Sequence, residues 1–213
     1  MKEKRNFIFM TLALSCITIS SISGAQATTI INGSLFDVSY DETQFFSGGS
    51  FGLGGNTVNY YPDFTLAASA SFSGNTSIND SRSFEIIAHS GVTLQSITMN
   101  ISGYYDNYPD STILTHEGSL TANGNFTHVY PNLFSSFTAG GWSTSATVNL
   151  ANTNFASAYF YNTLTAFGSG LGDANIYIDS ISFNVSATAV PLPPAIMLLV
   201  SGLLGIGAFT RRQ

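Results

Sequence analysis

Along the middle of the chain, apolar and polar side chains trade places every second residue. In "VTLQSITMNISGYY" (92–105), Ile97, Met99 and Ile101 alternate with Thr98, Asn100 and Ser102. A period of two sends successive side chains to opposite faces, so this is the pattern of a half-buried strand. "ANIYIDSISFNV" (174–185) repeats it with Ile176, Ile178, Ile181, Phe183 and Val185. Its register breaks at Asp179-Ser180, which predicts a bulge. Segments 64–74, 83–90, 141–150 and 155–169 read as further strands, rich in β-branched and aromatic residues. Gly, Asn, Asp and Pro clusters at 47–56, 106–110, 122–125 and 138–141 punctuate them. The first cluster, "SGGSFGLGGN", predicts a flexible loop. Eight or more short strands without an internal repeat predict an all-β fold. The expected form is an antiparallel β-sandwich, with the jelly roll as the arrangement to look for.

The two ends depart from this alternation. "MKEKRNFIFMTLALSCITISSISGAQA" (1–27) has Lys2, Lys4 and Arg5 ahead of an apolar run from Phe7 to Ile19. Ala25-Gln26-Ala27 follows as a small-x-small site. This predicts a signal helix cleaved after Ala27, with a mature start at Thr28. Ala13 stands where a lipoprotein signal carries a branched apolar residue, which weighs against lipidation of Cys16. At the other end, Ala195 to Thr210 carries no charge and is followed by Arg211-Arg212-Gln213. The run is at the short limit for crossing a hydrocarbon core of roughly 30 Å. Gly202, Gly205 and Gly207 suit a membrane helix better than a soluble one, and the arginines place the tail end in the cytoplasm. The expected division is signal peptide 1–27, β-sandwich ectodomain 28–188, and tail 189–213 with a transmembrane helix at 195–210.

The order Val190-Pro191-Leu192-Pro193, apolar run with Ser201-Gly202-Leu203-Leu204-Gly205, and terminal Arg211-Arg212 resembles the PEP-CTERM sorting domain. The resemblance covers residues 190–213, and Val-Pro-Leu-Pro replaces the name-giving Pro-Glu-Pro. It implies an exported protein of a Gram-negative bacterium that makes extracellular polysaccharide. It also implies residence in the inner membrane through residues 195–210, then processing by an exosortase-like membrane protease. The destination would be the cell surface or the extracellular matrix of a biofilm. The resemblance says nothing about what the body does.

Charge narrows the choice of partners. Between residues 6 and 210 Arg82 is the one cation, against eleven of the twelve carboxylates, a formal charge of −10. Phosphate recognition needs a basic surface, so no nucleic-acid partner is expected. Cys16 is the single cysteine, so no disulfide forms within the chain.

Catalytic patterns are weak. His89, His116 and His128 show no i, i+4 pairing, and no Gly-x-Ser-x-Gly elbow occurs. Glu42, Glu85 and Glu117 read as solvated charges, the histidines as surface or hydrogen-bonded groups. No catalysis and no resident cofactor are expected. Asp106, Asn107 and Asp110 in "YYDNYPD" are a calcium candidate, with Asp173, Asn175 and Asp179 a second set. Turn Asp and Asn more commonly bond their own backbone. Tyr60-Tyr61, Tyr104-Tyr105 and Tyr108 flank expected turns, where exposed rings can stack on sugars; core and rim packing is the plainer reading. Asn-x-Ser/Thr triplets at Asn75, Asn79, Asn100, Asn125 and Asn184 follow from composition. The leading expectation is a non-enzymatic surface or matrix protein. A carbohydrate-binding module for extracellular polysaccharide is the alternative, and a secreted hydrolase with scattered residues the third.

Overall fold

The computed structural model describes residues 27–46, 49–71, 74–107, 113–134, 139–168 and 173–190. The signal segment 1–26, the tail 191–213, Tyr108 and Asp110 lie outside them. Among the described residues no helix is long and apolar enough to cross a membrane.

Among the described residues twelve strands form two antiparallel sheets. They are β1 (Thr28–Ile31), β2 (Phe36–Asp41), β3 (Ser50–Gly54), β4 (Thr57–Tyr61), β5 (Ala67–Ser71) and β6 (Asn75–Ala88), then β7 (Val92–Asn107), β8 (Ile113–Ala122), β9 (Asn125–Phe134), β10 (Gly140–Thr153), β11 (Phe155–Phe167) and β12 (Asp173–Ala189). Sheet I has the order β1-β2-β6-β11-β8-β9, and sheet II the order β10-β7-β12-β4-β3, with β5 pairing the start of β12. From β6 onward the chain changes sheet at every step except β8 to β9. That one step is a hairpin. Asn123 and Gly124 both have positive φ, 49° and 79°, the conformation a two-residue type I′ turn demands.

The alternating apolar positions of both sheets meet in one core. Leu94, Ile97, Met99 and Ile101 of β7 face inward beside Ile176, Ile181, Phe183 and Val185 of β12, opposite Phe84, Ile86, Phe160 and Leu164 of sheet I. Rings bridge the sheets: Phe84 and Phe160 lie 4.8 and 5.1 Å from Phe183, and Tyr60 lies 5.0 Å from Phe160. Burying each such ring stabilises the fold by about 1.5–3 kcal/mol.

The bulge stands where the sequence places it. Ile178 pairs with Gly103 and Ser180 with Ser102, leaving Asp179 as the extra residue. "SGGSFGLGGN" differs from its expectation: residues 50–54 are β3, paired to β4 from Ser50↔Tyr61 to Gly54↔Thr57. Phe51, 3% exposed, packs on Phe84 at 5.0 Å. One buried ring and a tight turn at Gly55, φ 62°, are enough to order a glycine-rich strand whose composition alone argues for a loop.

Candidate functional site

The two outer faces of the sandwich differ in chemistry. On sheet II the outward residues are hydroxyls and amides. Ser143, Ser102 and Ser180 form one cross-strand row, and Thr147, Thr98, Asn184 and Thr57 another. They bond one another: Thr98–Thr147 at 2.9 Å, Ser102–Ser180 at 2.8 Å, and Thr57 donating to Asn184 at 2.8 Å. The face is polar, uncharged along these rows, and largely self-satisfied.

Sheet I is different. Of the large exposed apolar side chains among the described residues, seven lie on its outer face and two, Tyr61 and Tyr104, on that of sheet II. The centre of this surface is built by period two. β11 sends Phe160 and Asn162 inward, so Tyr159 and Tyr161 point out. Ser83, Tyr159, Thr121 and Phe126 stand in one cross-strand row, and Ser81, Tyr161, Ser119 and His128 in the next. Tyr159 is 45% exposed and Phe126 62%. Within the described residues no hydrogen bond holds the Tyr159 or Tyr161 hydroxyl. Phe126 and His128 meet edge to face, ring centres 5.9 Å apart. His128 Nε2 lies 3.0 Å from Glu117 Oε1, and Nδ1 donates to the Val129 carbonyl at 3.0 Å. Ile87 and Phe155, each 40% exposed, extend the apolar strip.

Past Ser83 the same row opens into a recess of about 280 Å³, lined by Ser39, Asp41, Ser83, Glu85 and Ser157 among others. It forms because β2 pairs with β6 only from Phe36↔Ala88 to Ser39↔Glu85 and then departs. Gln44 bridges beyond that point, exchanging two 2.9 Å bonds with the Ser83 backbone. An open aromatic platform therefore adjoins a pocket of hydroxyls and carboxylates. The sequence predicts a strand over 155–169, which β11 matches, but it points to rings beside turns, not to Tyr159 and Tyr161, as the exposed aromatics. The signal was present: "FASAYFYNTLTAF" carries rings on both of its faces, which a one-sided strand does not need.

A second polar group lies inside the sandwich. Tyr60 donates to Asp80 Oδ2 at 2.5 Å, Arg82 Nη1 lies 2.7 Å from Asp80 Oδ1, and Arg82 Nη2 lies 3.0 Å from Asp63 Oδ1. The guanidinium also sits 5.2 Å from the Phe45 ring centre and 6.0 Å from that of Phe64. Burial pushes the Asp80 carboxyl above its ordinary value, outweighing Tyr60 and Arg82, which pull it down. Burial also raises Asp63, but bonds from the Phe46 and Asp63 N–H groups and the Arg82 charge together hold it below the ordinary value. Asp80 is directly opposite Asn162, and Asn162 opposite Gly118. His116 Nε2 lies 3.4 Å from Asn162 Oδ1, and its ring 4.7 Å from that of Trp142. Burial drives the His116 pKa down to about 4, with the Asn162 bond opposing. Asp80, Arg82, His116 and Asn162 are at most 9% exposed, so this belt belongs to the framework.

The remaining sequence candidates are spread out. Asp106 stands opposite Asn175 on sheet II, which joins the two calcium candidate stretches at one register position. The side chain of Asn107 lies outside the described residues, as does Asp110. Among the described residues no three His, Cys, Asp or Glu side chains gather closely enough to hold a metal. His89 Nε2 pairs with Asp37 Oδ1 at 2.9 Å and holds that carboxyl below its usual range, helped by the Gly33 N–H. Ala27 and Val190 are described at the two ends. The Ala27 carbonyl accepts from Glu42 N at 2.9 Å, and Val190 N donates to Gly91 O at 2.7 Å. Ala25, Pro191, Leu192, Pro193, Arg211 and Arg212 lie outside the described residues. Tyr60 is 3% exposed in the core, as the plainer reading of these rings has it, and Tyr61 beside it is 54% exposed.

No protein-family model matches the chain, and no curated protein matches it. Among solved structures it is similar to chains in "Structure of infectious bursal disease virus Gx strain" (12% identity, 72% of this chain, TM-score 0.28) and in that of the Gt strain (9%, 73%, TM-score 0.25). It spans 41% and 48% of those viral chains, less than half of each. A third likeness is to "TmCBM61 in complex with beta-1,4-galactotriose", at 13% identity, 73% of this chain, 89% of that chain and TM-score 0.24. The assignment of fold rests on the strands themselves.

Proposed function

We propose that the protein is an exported, non-catalytic surface or matrix component of a Gram-negative bacterium, whose sandwich contacts the extracellular polysaccharide of its producer. The observation that carries the contact is the open platform of Tyr159, Phe126 and Tyr161 on the outer face of sheet I. Export and sorting are supported by the sequence ends: a cleavable signal segment to Ala27, and the Val190–Pro193, apolar and Arg211-Arg212 elements in order. The tail would hold the chain in the inner membrane until an exosortase-like protease processes it. Because β12 ends at Ala189 and Val190 makes the last backbone bond to Gly91, the tail would leave the sandwich directly from a core strand.

The connectivity supports a jelly roll. With β4 and β6 to β12 as its eight strands, the sheet orders are β4-β12-β7-β10 and β6-β11-β8-β9, two interlocked Greek keys. Calcium remains a proposal resting on Asp106, Asn107 and Asp110 alone.

Cell fractionation tests the sorting. The full chain is compared with a chain lacking residues 190–213. The deletion should move the protein from the envelope to the soluble exported fraction. An unchanged distribution would remove the sorting reading.

A further inference from the structure

We propose that the ligand of the sheet I face is an uncharged glycan strand. It lies across β11, β8 and β9, with sugar rings over Tyr159 and Phe126 and its hydroxyls in the recess beside Ser83, Glu85 and Ser157. This deepens the polysaccharide reading above and rests on it.

Three features select the ligand. The first is the spacing of apolar and polar groups. Thr121 and Ser83 flank the Tyr159 ring, and Ser119 and Ser81 flank Tyr161. A pyranose has an apolar C–H face and a rim of hydroxyls. Rings separated by hydroxyl side chains match that alternation, whereas a docked protein helix or lipid surface needs continuous apolar area. The second is preorganisation. Both tyrosines sit on a central strand, at positions paired on each side, so little freedom is lost on binding. Their phenol groups are available to a ligand as donors and acceptors.

The third feature is charge. Glu85 lines the recess and Glu117 borders the platform. Arg82 is the only Lys or Arg between residues 6 and 210, and it is buried against Asp63 and Asp80. No lysine or arginine on this face offsets the phosphate, uronate or sulfate groups of an acidic polymer, and its His128 is paired with Glu117. The same carboxylates oppose a second copy of the chain, since face-to-face pairing brings Glu85 and Glu117 of both copies into one interface with no lysine or arginine to offset them. They suit a neutral polyol, whose hydroxyls donate to them.

Affinity electrophoresis of the full secreted protein in EDTA tests this. The gels hold neutral dextran, hydroxyethyl cellulose, galactan or xylan, or acidic alginate or polygalacturonate. The wild type should be retarded by at least one neutral polymer and by neither acidic one. Tyr159→Ala and Phe126→Ala should each weaken retardation about tenfold, the loss of one stacked ring. Tyr159→Phe should retain most of it, and Tyr104→Ala, on the opposite face, all of it. Neutral binding that survives both alanine variants would overturn the site and leave the polysaccharide reading standing. Retardation by the acidic gels would overturn the ligand class. No retardation by any gel would remove the polysaccharide reading together with this one.

Discussion

Tyr159 and Phe126 share one row across sheet I, with Thr121 between them. Two strand spacings separate their Cα atoms, about 9.6 Å. Both rings point away from the core, while Phe160, next to Tyr159 on β11, is buried. Neither exposed ring contributes much to folding, so their places in the sheet need another explanation.

The first prediction follows from that contrast. Tyr159→Ala and Phe126→Ala should each change unfolding free energy by about 0.5 kcal/mol or less. Phe183→Ala removes a ring packed against Phe84 and Phe160 and should cost about 3–5 kcal/mol. Urea unfolding of the three variants measures the difference.

Arg82 holds two carboxylates inside the sandwich. Arg82→Met leaves Asp80 and Asp63, whose side chains are 0% and 1% exposed, without their cation. The expected loss is about 3–5 kcal/mol. Adding Asp80→Asn to Arg82→Met should restore part of it, because one buried charge is then gone. A loss below about 1 kcal/mol for Arg82→Met would show that the pair contributes little.

His116 gives the fold a pH dependence. Its folded pKa is about 4 against 6.5 for the free group. Between these values the unfolded chain takes up a proton that the folded interior refuses. Stability therefore falls as pH drops from 6.5 towards 4, by roughly 3 kcal/mol in total. Asp80 acts in the opposite direction. Its raised pKa gives stability that is present at low pH and lost as pH rises through the folded value. Comparing wild type with His116→Leu isolates the histidine: the variant should lack the slope between pH 6.5 and 4.

Gly103 marks the closest approach in sheet II. A Cβ there would lie 1.9 Å from the Tyr177 carbonyl oxygen and 2.7 Å from the Trp142 ring. Gly103→Ala must move a backbone segment and the buried tryptophan, and should cost about 1–3 kcal/mol. Trp142 is the only tryptophan of the chain, so its fluorescence should shift with the loss of stability.

Much of the sandwich was legible because a strand with one wet face declares itself. Ile97, Met99 and Ile101 against Thr98, Asn100 and Ser102 gave β7, and the break at Asp179 gave the bulge. β3 was hidden because glycine carries no periodicity, and its burial depends on Phe51 finding Phe84 in another strand. The interior belt was hidden for a related reason. Asp80, Arg82, His116 and Asn162 occupy inward positions that period two assigns only once the register is known, and a sequence scan places such residues outside. Tyr60 and Tyr61 show the limit plainly: one step along the strand separates a core ring from an exposed one. The platform needed cross-strand register, since Tyr159 and Phe126 are far apart in sequence.

Aromatic NMR of the full secreted protein, titrated with whichever neutral polymer retards it, tests the central claim most directly. The ring-proton signals of Tyr159, Tyr161 and Phe126 should shift with polymer, and those of Tyr61 and Tyr104 should stay in place. Shifts confined to Tyr61 and Tyr104 would contradict the account, because they would put the ligand on the other face of the sandwich.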